Sequence, residues 1–385
     1  MNQINSHFDA AIIGGGLIGC AIAWRLSKAG LRVVVIERNE IGHEASWAAG
    51  GMLAPLSEAN QADAFFELVV AGQKMYADFA RELCEATGID IQYRTEGTLY
   101  LALTDKDEEE LERRWRWQQA AGLNIKKLNA HDVLKLEPAL TPQLRWALEF
   151  PHDHQVDNRR MMTALEAAAR DNGVEFWTKT EATSLEISNN RIAGVETTKR
   201  NIVTNTVILA AGSWSSLLKA TDDKVVMDFS VEPIRGQMIA LEMPVPALHH
   251  VVYSTSGYLV PRADGYVIAG STTEIVGYNK RITAEGLASI ITHAVEIAPN
   301  LSSQGVLETW AGLRPKTKDN WPVLGNDLRI SGLVYATGHY RNGILLTPLT
   351  AQSISELVLR GESSINLTPF SPARFDQHSG LHLSA

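Results

Sequence analysis

Cysteine is nearly absent. Only Cys20 and Cys84 occur in 385 residues. This excludes a disulfide framework, a thiolate zinc site and a cysteine-ligated iron–sulfur cluster. Positive charge is also short, with 35 Lys and Arg against 44 Asp and Glu and a net charge of −9. A nucleic-acid-binding chain would carry a basic footprint, so that class is disfavoured. Long apolar runs are missing too. The longest nearly apolar stretch, Ala10 to Trp24, is too short to span a bilayer and carries four glycines. No Lys or Arg precedes Arg25, so the start lacks the basic region of a signal peptide. The expectation is a soluble cytoplasmic protein without membrane contact. There are no internal repeats, low-complexity tracts or long blocks of one charge. What is there is ordinary globular composition, 45% apolar and 21% charged, which rules out a disordered or fibrous chain. At roughly 150 residues per domain, the length predicts about two to three domains.

The chain opens on strand, turn, helix, strand. Phe8 to Ile13 is a short apolar run, Gly14 to Gly16 breaks it, and Leu17 to Ala29 has helical spacing. Gly30 ends that helix, and Arg32 to Glu37 reads as a second buried strand. Such a βαβ unit implies a parallel sheet. Further along, Gln61–Gly88 reads as one long amphipathic helix, Gly97–Thr104 as a strand and Lys106–Gly122 as a charged helix. Asp157 is a candidate N-cap for a helix through Asp171. Short strands fill Val174–Leu209, and Asp228–Thr273 is mostly strand. Ala284–Ala298 is helical, Leu333–Thr337 a strand, and Asn342–Leu359 a final helix. Nucleotide-type segments thus lie at the start, middle and end. The fold expected is α/β, with a Rossmann-like cofactor domain that is discontinuous in sequence (1–88, 151–222 and 307–385). A mixed-sheet substrate domain comes from 89–150 and 223–306.

Gly14, Gly16 and Gly19 form G-x-G-x-x-G after a strand and at the opening of a helix, with Glu37 18 residues beyond Gly19. That context marks a dinucleotide site. Gly14 makes the tight turn, Gly16 admits the pyrophosphate to the backbone, and Gly19 permits close helix–strand packing. The helix N-terminus offers unpaired N–H groups to phosphate. Glu37 should accept the adenosine ribose hydroxyls. The fingerprint alone does not separate FAD from NAD. Two features favour FAD: VILAAGSW (Val207–Trp214), a strand ending in small residues, and YATGHYRNGI (Tyr335–Ile344), a second glycine turn feeding a helix. That helix N-terminus would face the flavin edge where negative charge develops on reduction.

With ASWAAGGMLAP (Ala45–Pro55) and WAGLRPKTKDNWPVLG (Trp310–Gly325) in the same order, the chain resembles the D-amino-acid oxidase superfamily over nearly its whole length. Within that superfamily it looks like the glycine oxidase branch of the thiamine-thiazole pathway. The resemblance implies noncovalent FAD, dioxygen as acceptor and a homo-oligomer, a homotetramer in that family. It also implies oxidation of glycine, sarcosine or small D-amino acids to an imine that yields glyoxylate and ammonia or enters thiazole synthesis, with hydrogen peroxide as the other product. The implied cofactor residues are Gly14, Gly15, Gly16, Leu17, Ile18, Gly19, Glu37, Arg38, Ala45, Ser46, Gly50, Gly51, Met52, Ala182 and Gly212, and His339, Tyr340, Arg341, Asn342, Gly343, Ile344 and Leu345. The implied catalytic residues are Arg314, Tyr258 and Arg341. Their chemistry agrees, since a guanidinium fork grips a carboxylate bidentately and a tyrosine hydroxyl can donate to it. Ala54 and Pro55 are expected near the substrate side chain, which favours very small substrates; Thr273 replaces a methionine of some relatives.

Other readings are a sarcosine oxidase, a D-amino-acid dehydrogenase or a tRNA-modification flavoprotein. The first, when it tethers flavin through a late cysteine, needs a residue this chain does not have beyond Cys84. The acidic balance disfavours the last. His152-Asp153-His154 and His249-His250 have metal-type side chains, but neighbours in sequence rarely converge, so no metal is expected. Cys20 reads as a small buried apolar residue, and Trp115 and Trp117 as lining an interdomain or subunit surface.

Overall fold

The computed structural model describes residues 6–221 and 226–375. Among them, Ala10–Ile13, Val33–Ile36, Glu175–Trp177, Val207–Leu209, Leu333–Thr337 and Val323–Asn326 form one six-stranded sheet. Its pairs are parallel except the edge strand Val323–Asn326. The central strands are apolar throughout because both faces are covered. Ala10, Ile12, Val33 and Val35 meet the helices Leu17–Lys28, Asn158–Asp171 and Thr347–Arg360. Ala11, Ile13, Val34 and Ile36 pack against Leu185, Val195 and Ile202 of a five-stranded sheet.

A third, eight-stranded sheet is mixed. It runs Val306–Lys316, Glu232–Glu242, Tyr266–Gly270, Tyr258–Arg262, Val251–Tyr253, Thr98–Ala102, Trp146–Phe150 and Lys126–Asn129, with only the Val251–Tyr253/Thr98–Ala102 pair parallel. The helix Ala284–Ile297 covers one face through Ile290, Ala294 and Ile297. The other face carries Met238, Tyr253 and Tyr258 toward the first assembly. The strand Val306–Lys316 straddles the boundary expected at 307 and pairs along Glu232–Glu242 over most of its length. The boundary at 222 lies outside the described residues.

Two elements differ from the sequence reading. The span 61–88 is two helices, Ala64–Lys74 and Tyr76–Thr87, meeting at Met75. Asp63 accepts the Phe66 N–H at 2.8 Å and so sets the start. The apolar spacing runs through the break, and the two helices pack on different partners, the first on Thr347–Arg360 and the second on Asn158–Asp171. The last helix begins at Thr347, not Asn342. Pro348 has no N–H to bond back toward 344, which separates the helix from the turn that precedes it. Asp157 caps its helix as expected, accepting the Arg159 and Arg160 N–H groups at 2.9 Å. No helix of the described residues is long and apolar enough to cross a membrane.

Candidate active site

The glycine turn is built by contact. Gly14 has φ +112°, and a Cβ there would lie 2.4 Å from the Ala210 carbonyl; a Cβ on Gly19 would lie 2.0 Å from the Gly14 carbonyl. Only glycines let the turn, the first helix and the neighbouring strand meet this closely. Beside the turn, at the carboxyl ends of the central strands, lies a cavity of about 490 Å³. Open α/β sheets hold ligands at this place. It reaches from Glu37 and Ala182 at one end to Arg314 and Tyr258 at the other, past the small side chains Ala45, Ala48, Ala49 and Gly50. A cavity lined by the glycine turn and the opening of the first helix, with the Glu37 carboxylate on its wall, suits a dinucleotide.

Of the cofactor residues expected, all but Gly15, Gly19 and Leu345 line this cavity. Leu345 is buried in the helix-side core. Gly15 donates its N–H to Glu37 Oε2 at 2.9 Å, while Glu37 Oε1 accepts the Asn39 N–H at 2.9 Å. The Glu37 carboxylate therefore ties the turn to the end of the second strand and presents its remaining lone pairs to the cavity. Ser46 Oγ accepts the Leu17 N–H at 3.0 Å. Arg38 stacks over the Trp214 ring at 3.8 Å.

At the far end, Arg314 stands on the strand Val306–Lys316 opposite Ile234. Its guanidinium lies flat over Gly236, where a Cβ would fall 2.3–2.5 Å from the fork atoms. Nη1 donates to the Thr272 carbonyl at 3.2 Å and Nη2 to Ser271 Oγ at 2.6 Å. Among the described residues Arg314 has no carboxylate within ion-pair distance. The other N–H groups of the fork are thus left for a ligand. Tyr258 is 8% exposed, and among the described residues the one hydrogen bond of its hydroxyl goes to the Met238 thioether, a weak acceptor, at 3.3 Å.

Arg341 is placed differently. Its Nη2 donates to Glu58 Oε1 at 3.1 Å, and the Tyr253 hydroxyl donates to the same oxygen at 2.7 Å. Burial pushes the Glu58 carboxyl up, but Arg341, Tyr253 and Arg114 together outweigh it and hold it below the usual range. The neutral pair sits where the cavity meets a second one of about 540 Å³, with Ala54, Tyr258, Tyr340 and Asn342 common to both.

Buried polar side chains hold the loops around these residues. Asp153 accepts the Leu56 and Ser57 N–H groups at 3.0 and 2.8 Å, and burial pushes its carboxyl up to about 7. Arg262 donates to the Gly50 carbonyl at 2.9 Å and to Asn158 Oδ1 at 3.1 Å; Asn158 in turn donates to the Ser46 carbonyl at 2.8 Å. His339 is buried, which pushes its imidazole down to about 3 and keeps it neutral. His154 binds Tyr93 and Gln73 through Nδ1. Cys20 is fully buried, and Trp117 packs edge-on against Phe66. Sequence reasoning missed Gly236, Glu58, Arg262 and the Ser271–Thr272 pair, and weighed Asp153 only as a metal-type side chain. Nothing local marks them, because each acts on a segment distant in the chain.

The family model described as "FAD dependent oxidoreductase" (DAO) matches residues 9–357. A protein named glycine oxidase from Geobacillus kaustophilus (strain HTA426) is 33% identical over 370 residues, 96% of this chain and 97% of that relative. A bifunctional ThiO/ThiG protein from Synechocystis is 32% identical over 95% of this chain and 54% of its own length. The crystal structure of glycine oxidase from Geobacillus kaustophilus superposes with a TM-score of 0.91 at 32% identity, over 96% of this chain and 99% of that one.

Proposed function

The chain belongs to the DAO family of FAD-dependent oxidoreductases, and from that premise we propose that it oxidises glycine, with sarcosine and small D-amino acids as further substrates. In the net reaction glycine, dioxygen and water give glyoxylate, ammonia and hydrogen peroxide. FAD is the cofactor of the family, and we assign it, held noncovalently, to the channel between Glu37 and Arg314. Bound there, FAD would supply a two-electron acceptor for the hydride on the substrate's Cα, with dioxygen as the final oxidant.

The observation that carries the reading is Arg314: a guanidinium lining the cavity, with one hydrogen bond from each terminal nitrogen, to the Thr272 carbonyl and Ser271 Oγ, and no acid partner among the described residues. Its fork takes the substrate carboxylate bidentately. Tyr258 donates to the same carboxylate, because its hydroxyl gives up only a thioether contact to do so. Two donors on one carboxylate fix the direction of Cα and so pre-set the reacting geometry. Ala54, 4% exposed, stands on the wall between the two cavities and limits the substituent on Cα. Arg341, already matched by Glu58, forms the throat. The relative named ThiO/ThiG supports release of the imine toward thiazole synthesis. A homo-oligomer is part of the proposal, since it would cover apolar side chains such as Ile275, 81% exposed.

The test is oxygen uptake and peroxide release by the purified yellow protein with a dozen amino acids under air. Glycine or sarcosine should lead. A bulky D-amino acid or any L-amino acid as best substrate overturns the reading.

A further inference from the structure

Arg314 is oriented by two atoms of the segment 271–274, and that segment hangs from a charge pair outside the cavity. Arg235 and Glu274 exchange backbone hydrogen bonds in both directions, 2.9 and 3.0 Å. The Arg235 guanidinium, 4% exposed as a side chain, donates to Glu274 Oε2. Gln237 Nε2 and Thr272 Oγ1 donate to Glu274 Oε1 at 2.8 and 2.5 Å. Thr272 Oγ1 also accepts the Gln237 N–H at 2.9 Å. The threonine hydroxyl is therefore held from both sides and cannot turn. The same residue offers its carbonyl to Arg314 Nη1, and its neighbour Ser271 offers Oγ to Nη2.

We propose that Glu274 is a positioning residue for the oxidation, fixing the Thr272 carbonyl and Ser271 hydroxyl and thereby the plane of the Arg314 fork. This rests on the reading of Arg314 as the carboxylate clamp. Arg235 has a matching part. Glu274 and Arg314 share Thr272 as a hydrogen-bonding partner, Glu274 through Oγ1 and Arg314 through the carbonyl. Arg235 pairs with Glu274 and so fixes the acid that holds Thr272. The hydrogen bond from Arg235, working against burial and helped by Thr272 and Gln237, holds the Glu274 carboxyl down to about 2. It stays anionic throughout the working range.

The experiment titrates acetate, an unreactive carboxylate, into the holoenzyme and follows the absorption band of the bound flavin, alongside glycine kinetics. Glu274→Gln and Thr272→Val should each weaken acetate binding and raise the glycine KM on the order of tenfold, with kcat within about twofold. Thr272→Ser keeps the hydroxyl and should bind acetate like the unaltered enzyme. Should Glu274→Gln not fold, the Thr272 variants decide. Acetate affinity unchanged in Thr272→Val, or a loss of thermal stability with no change in acetate affinity in Glu274→Gln, overturns the proposal. Unaltered enzyme that binds acetate but does not oxidise glycine overturns the substrate reading alone, and the acetate titration still decides this one.

Discussion

At the residue scale, the site is a charged fork on a bare strand. Arg314→Ala removes a partly desolvated, charge-assisted pair worth about 3–5 kcal/mol, so kcat/KM for glycine should fall on the order of 10²-fold or more. FAD content, read from absorbance, should stay near normal because Arg314 lies at the end of the channel away from Glu37. Gly236→Ala leaves the charge in place but puts a methyl 2.3–2.5 Å from the fork, and should show the same loss as a raised KM. Full activity in Arg314→Ala would refute the clamp. Ala54 is the second residue that decides. Extra methylenes in a packed wall cost about 1–3 kcal/mol, so Ala54→Gly should raise turnover of D-alanine relative to glycine. An unchanged D-alanine-to-glycine ratio in kcat/KM would place the selective wall elsewhere. Arg314 and Tyr258 were legible as residues through their motifs. Gly236 was not, since its role is to leave space for a side chain on another strand.

At the element scale, the loops that line the cavity are held by side chains from distant elements. The loop carrying Leu56, Ser57 and Glu58 is tied by Asp153. Burial raises the Asp153 carboxyl to about 7 in the fold, above its unfolded value near 4. The sign follows. The folded state binds this proton more tightly, so the contribution is fully present at low pH and is lost as pH rises through about 7. Asp153→Asn is neutral at every pH and escapes that loss. Its Tm, measured against the unaltered protein, should therefore climb from about pH 5 to about pH 7 and level off above that; a flat difference would show that Asp153 titrates normally. The adjacent side chains of His152-Asp153-His154, set aside as a metal site in the sequence, take separate partners. Asp153 caps a loop, His154 meets Tyr93 and Gln73, and His152 bonds Asn124.

At the scale of the whole molecule, the cavity is walled by strands and loops far apart in the chain, among them the stretches near residues 14, 37, 48, 182, 212, 258, 314 and 340. A ligand that binds only this assembled form stabilises it by mass action, about 2.7 kcal/mol at a hundred times its Kd. Removing FAD should therefore lower Tm, and adding it back should restore Tm in a concentration-dependent way. Acid precipitation should release all the yellow colour to the supernatant, since among the described residues neither Cys20 nor Cys84 lines the cavity and the one histidine that does, His339, is bonded to Thr350. Flavin retained in the pellet would overturn noncovalent binding.

The sequence by itself determined the cofactor half of this protein. The βαβ opening, the glycine turn, Glu37 and the capped helix after Asp157 are all encoded within a few tens of residues. Local spacing there sets both backbone conformation and the place where phosphate can sit. Only the tertiary structure decided how the substrate end is arranged. Arg314 needs Gly236 beneath it and Ser271 and Thr272 beside it, and Arg341 is turned to Glu58, some 280 residues away in the chain. These pairings depend on which strands lie side by side and on which charges burial forces together. Neither leaves a periodic or local mark in the chain.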